Sequence, residues 1–111
     1  MDVNDYQRKA QRTHNPELTQ EQALLNGLMG LCGEAGEAID ILKKSLMQGA
    51  ELDEEHLIKE LGDVAWYLAE AATALNIPLD EILQRNIKKL ESRYPDGFNS
   101  ERSANRVSGD I

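Results

Sequence analysis

The chain has 111 residues, enough for one hydrophobic core and too few for two, so a single domain over 1–111 is expected. Its formal net charge of −8 argues against a nucleic acid as main partner, because phosphate backbones are met by basic stripes. Low aromatic content and three prolines favour a helical bundle over a sandwich or barrel, and the single cysteine, Cys32, rules out an intrachain disulfide.

The N-terminal residues lack the basic-then-apolar layout of a signal peptide, and no apolar run has membrane-spanning length. A cytoplasmic protein with no membrane partner is expected, in keeping with one unpaired thiol in a reducing compartment. Residues from about Val3 to Arg12 are expected to form a short first helix, which Asn15-Pro16 breaks.

Thr19 followed by Gln22 is a capping box: the threonine oxygen takes a free amide and the glutamine side chain returns to the cap. A long helix is expected from Gln20 to about Gln48. Leu24, Leu28, Leu31, Ala35, Ala38 and Leu42 step by four and three, so they form its inner face. Lys43 and Lys44 suit its C-terminal dipole, and Gly49 can close it. Gly27, Gly30, Gly33 and Gly36 interrupt it, each at a cost of about 1 kcal/mol relative to alanine. Two readings stand: the glycines admit a second helix closely, or they keep a floor clear for a ligand. Gly27 and Gly30 fall on the stripe of Glu34 and Glu37, beside the leucine face.

Asp53 can cap a third helix from about Glu54 to Leu75, with Leu57, Leu61, Val64, Leu68, Ala71 and Leu75 facing inward. Glu60, Asp63, Tyr67 and Glu70 flank that face. A short link makes the two helices antiparallel neighbours, so their acidic stripes can face each other. Trp66 points away from the leucines, and a subunit interface is the preferred reading over base stacking.

Gly33-Glu34-Ala35-Gly36-Glu37 and Glu60-Leu61-Gly62-Asp63 each place two carboxylates three residues apart in an apolar helix. Gathering four like charges is unfavourable unless a cation neutralises them. Carboxylates without histidine or cysteine select hard ions such as magnesium or manganese. The same spacing recurs at Asp2/Asp5, Glu37/Asp40 and Glu51/Glu54, so spacing alone leaves a plain solvated acidic face open as well.

Asn76 and Pro78 mark the next turn, and a fourth helix is expected from about Leu79 to Arg93. Asn86, Lys89 and Arg93 form a donor-rich stripe on it: solvated surface in isolation, a phosphate clamp if it faces a metal groove. His14 and His56 have no partner at ligand spacing and are read as surface or capping residues. A ferritin-like iron centre would require Glu-x-x-His, which neither acidic pair offers. From residue 99 the chain becomes a polar tail.

These motifs in this order, with Tyr67 one turn after Asp63 and Tyr94-Pro95-Asp96-Gly97-Phe98 after the basic stripe, resemble the MazG-like nucleotide pyrophosphohydrolases of the all-α superfamily. The likeness covers roughly residues 20 to 100. It implies an antiparallel bundle of about four helices, completed as a homodimer or tetramer. It further implies magnesium on Glu34, Glu37, Glu60 and Asp63, and cleavage of a nucleoside triphosphate between the α and β phosphates, releasing a monophosphate and pyrophosphate. Asn86, Lys89, Arg93 and Tyr67, with Lys44 as a weaker candidate, would contact substrate. Phosphoribosyl-ATP pyrophosphatase is the alternative within the superfamily, and a non-catalytic acidic helical adaptor the alternative outside it.

Overall fold

Thr19 and Asp53 start the two longest helices as their sequence contexts predict. Thr19 accepts from the Gln22 amide while Gln22 Oε1 accepts from the Thr19 amide, and Asp53 Oδ1 accepts from the His56 amide at 3.1 Å. The computed structural model describes residues 1–105. Among these the elements are α1 (Val3–Ala10), a 3-10 turn (Gln11–Thr13), α2 (Gln20–Gln48), α3 (Glu54–Ala74), α4 (Leu79–Arg93) and α5 (Ser100–Ala104), with no strand. The fold is all-α. Gly49 ends α2 at φ 67°, a left-handed conformation that costs glycine little. The Asp2/Asp5 pair turns out to be the capping box of α1.

The chain divides into two compact units, Met1–Leu79 and a second beginning at Asp80. In the first, α2 and α3 run antiparallel, and α1 lies against α3. The second contains most of α4, then a turn in which Gly97 takes φ 91° and Tyr94 and Phe98 bring their rings to 5.6 Å. Within the expected polar tail, α5 is capped by Asn99; residues 106–111 of that tail lie outside the described residues. No helix among the described residues is long and apolar enough to cross a membrane.

The seam between α2 and α3 follows the predicted apolar faces only in part: Leu24, Leu31, Leu42, Leu57, Val64 and Leu68 are half-buried and Ala71 is buried, but other members are not. Leu28, Leu61 and Leu75 are half exposed, whereas Ala23, Gly27, Ala71 and Ala74 are buried. Close approach explains the difference. A Cβ on Gly27 would lie 3.0 Å from the Ala71 nitrogen and 3.1 Å from the Tyr67 carbonyl oxygen, and one on Gly30 would overlap the Tyr67 ring. Small residues let the backbones meet, and Leu28, Leu61 and Leu75 are turned to the sides. The cleared-floor reading therefore fails at Gly27 and Gly30, where α3 occupies the space. At Gly33 and Gly36 a Cβ would meet nothing within 4 Å.

Trp66 is anchored within its own chain: Nε1 donates to Thr13 Oγ1 at 2.8 Å and to the Ala10 carbonyl at 3.0 Å, and the indole meets Tyr67 edge-on. One further expectation is corrected. His14, read as a surface residue, places Nδ1 3.0 Å from Oε1 of Glu70, the most deeply buried large side chain in the core, while Asn26 Nδ2 donates to Oε2 at 2.7 Å. Gln7 completes the attachment of α1. Its amide donates to Thr73 Oγ1 and the Ile77 carbonyl, and its oxygen accepts from the Leu79 amide, so it closes the turn between α3 and α4.

Candidate metal centre

Because α2 and α3 are antiparallel and closely packed, the second half of α2 lies against the first half of α3. This brings Glu34 and Glu37, one helical turn apart on α2, to Glu60 on α3, with carboxylate oxygens of all three within 4.8 Å of one another. Glu60 is buried, Glu34 half-buried and Glu37 exposed. Oε2 of Glu34 and Oε2 of Glu60 are both buried without a hydrogen-bond partner. Two buried carboxylate oxygens without a partner are unfavourable unless a proton or a cation meets them.

The electrostatics follow from that crowding. A hydrogen bond shared with Glu60, then desolvation, then the charges of Glu37 and Glu60 push Glu34 up to about 7. The same hydrogen bond holds Glu60 below the usual carboxylate range against its own desolvation, helped by Glu37 and His56. Without a metal, the pair thus keeps one proton near neutrality. An all-oxygen donor set with two unspent buried oxygens fits a hard divalent cation in the proton's place.

Asp63, the fourth acid of the sequence motif, stands outside this group of three. It is exposed and lines a recess of about 360 Å³ with Glu34, Trp66 and Tyr67. Tyr6 of α1 lies near it: burial, and then the Asp63 charge, hold the Tyr6 phenol above its ordinary value. Tyr67 fills the space over Gly30 and presents part of its surface to the same recess.

On the other side, Glu37, Asp40, Lys44, Asp53 and His56 help to line a cavity of about 460 Å³ at the turn joining α2 and α3. Lys44 Nζ is 3.1 Å from Asp40 Oδ2, one turn earlier. Asn86, Lys89 and Arg93 lie on α4, in the second unit, with Asn86 and Lys89 exposed and Arg93 half-buried.

The sequence reading missed His56. Its Nε2 is 3.2 Å from Glu60 Oε1 across one helical turn, so it is a partner of the acidic cluster and not merely a capping residue. The signal was present in the i,i+4 spacing of the two residues. His14 and Glu70 gave no such signal, being separated by 56 positions.

Comparison with known proteins supplies the remaining observations. The family model described as the MazG nucleotide pyrophosphohydrolase domain matches residues 20–98. The gene 37 protein of Mycobacterium phage L5 is 42% identical over 73 residues, which are 62% of this chain and 64% of that protein. The chain therefore spans less than two thirds of that relative. No solved structure matches.

Proposed function

The chain belongs to the MazG nucleotide pyrophosphohydrolase family, and from that premise we propose that it is a magnesium-dependent nucleoside triphosphate pyrophosphohydrolase. The reaction is hydrolysis of the bond between the α and β phosphates, giving a nucleoside monophosphate and pyrophosphate, in the service of clearing unwanted nucleotides from the cytoplasm. The observation that carries this reading is the convergence of Glu34, Glu37 and Glu60 with two buried oxygens unspent.

Glu34, Glu37 and Glu60 would hold the cation, with Asp63 beside them at the recess. When bound, magnesium or manganese supplies positive charge against the triphosphate oxygens and Lewis-acid activation of the attacking water. The carboxylates fix where that charge stands. Their excess negative charge also makes the site repel a free triphosphate, so binding of substrate and of cation are coupled. By the family resemblance Asn86, Lys89 and Arg93 contact phosphate oxygens, Tyr67 contacts substrate from the recess wall, and Lys44 adds positive charge once released from Asp40.

Assembly as a homodimer or tetramer belongs to the same proposal. Leu25, Leu28, Met29 and Ile39 form one exposed apolar stripe on α2, a surface suited to a second copy of the chain. Light scattering of the parent beside Leu28→Glu tests this, and a parent that is monomeric at micromolar concentration refutes it.

The reaction is tested by incubating a panel of nucleoside triphosphates, with phosphoribosyl-ATP included, with and without magnesium. Pyrophosphate is measured against orthophosphate. Release of pyrophosphate only with magnesium, abolished by Glu37→Gln and by Asp63→Asn, is the expected result. Turnover of phosphoribosyl-ATP alone would assign the chain to histidine synthesis, and no turnover of any nucleotide would sink the hydrolase reading.

A further inference from the structure

Glu60 uses its two oxygens differently. Oε1 lies 3.2 Å from His56 Nε2, while Oε2 is buried and has no partner. A carboxylate with both oxygens free can meet a cation through either or both and can rotate between these modes. One whose first oxygen is already held by a donor presents only the second.

His56 is well placed to be that donor. Its own amide is bound by Asp53, the N-cap of α3, which fixes the first turn of the helix and the point from which the ring departs. The spacing of four residues then lays the ring over Glu60. A carboxylate oxygen accepts, so at 3.2 Å Nε2 is the atom that donates. The imidazole is half exposed and lines the neighbouring cavity together with Glu37, so no packing requirement explains its orientation toward Glu60.

We propose that His56 is a positioning residue of the metal centre: its Nε2–H holds Glu60 Oε1, so that Oε2 is the oxygen of Glu60 left for a divalent cation. The inference rests on the divalent-cation reading above. It assigns His56 no contact with substrate and no contact with the metal.

Calorimetric titration of the full chain with magnesium, and separately with manganese, tests this on the parent, His56→Ala and His56→Gln, with melting curves in chelator to verify that each is folded. Loss of an outer partner of a metal ligand typically weakens binding about 10–100-fold, and that is the effect expected of alanine. Glutamine carries an N–H of similar reach and restores most of the affinity. Magnesium and manganese shift in parallel, because the ligands remain oxygens. An alanine variant within about twofold of the parent overturns the proposal, as does a glutamine variant no better than alanine. A much larger loss for manganese than for magnesium also overturns it, by making the imidazole a ligand itself. A parent that binds magnesium but hydrolyses no nucleotide refutes the hydrolase reading and leaves this inference standing; a parent that binds no magnesium removes both.

Discussion

The ring of Tyr67 lies on the bare backbone of Gly30, where a single added methyl group would overlap it. Three residues further along the same helix, Gly33 faces open space. Gly30→Ala and Gly33→Ala are chemically identical changes with opposite expected signs.

Gly30→Ala must displace a ring that is also packed edge-on to Trp66, and overpacking of this kind costs about 1–3 kcal/mol, so a net destabilisation beyond the gain in helix propensity is expected. Gly33→Ala meets nothing and is expected to stabilise α2 by up to about 1 kcal/mol. Urea denaturation of both variants is the check. Stabilisation by Gly30→Ala would mean that Tyr67 does not fill that space in solution.

Glu34 gives the metal-free protein a defined pH response. Its carboxyl is raised from 4.5 to about 7, so the folded state retains a proton that the unfolded chain has lost. The stability this group contributes is fully present below 4.5 and is lost as pH rises through about 7. Glu60, held low, acts in the opposite sense and loses its contribution only as pH falls below the usual carboxylate range. In chelator, the melting temperature is expected to decline between pH 5 and 7.5 through this group, and Glu34→Gln to flatten the decline. Magnesium competes with the proton, so its affinity rises over the same interval and its binding releases protons to the buffer. A magnesium affinity independent of pH from 6 to 8 would contradict this account.

His14→Ala removes a donor from a carboxylate that has almost no access to water, leaving Asn26 as the remaining partner of Glu70. A hydrogen bond to a charged group contributes about 1.5–3 kcal/mol, and a loss of that size is expected in denaturant midpoints. Glu70 is ten residues from Glu60, roughly 15 Å along α3, so magnesium affinity should not change. Weaker magnesium binding in a folded His14→Ala protein would show that the two ends of the helix pair are coupled.

The helix boundaries were legible in the sequence because caps are local. Thr19 with Gln22, Asp53, Gly49 and the Asn76/Pro78 turn each act over a few residues, and α2 and α4 begin and end where those signals put them. The seam was legible only in part. Periodicity finds the stripe where apolar side chains recur, and it included the buried Ala71, but close backbone contact favours residues that have almost no side chain, so Ala23 and Gly27 are buried where Leu28 and Leu61 stay half exposed. The acidic pairs pointed to a cluster, and three of the four acids do converge, while Asp63 lies outside that group and lines the recess with Glu34. The bonds of Trp66, His14 and Gln7 run between segments more than fifty residues apart, and spacing carries no information about them.

Those same long-range bonds impose an order in time. Gln7 needs Thr73, Ile77 and Leu79, and the backbone of Ala10 needs Trp66, so α1 has no surface to dock on until the helix pair and the turn after it exist. A segment near the start of the chain is therefore the last of the first unit to settle. Since Tyr6 on that segment stands near enough to feel the Asp63 charge, the surroundings of that carboxylate are complete only once α1 has docked.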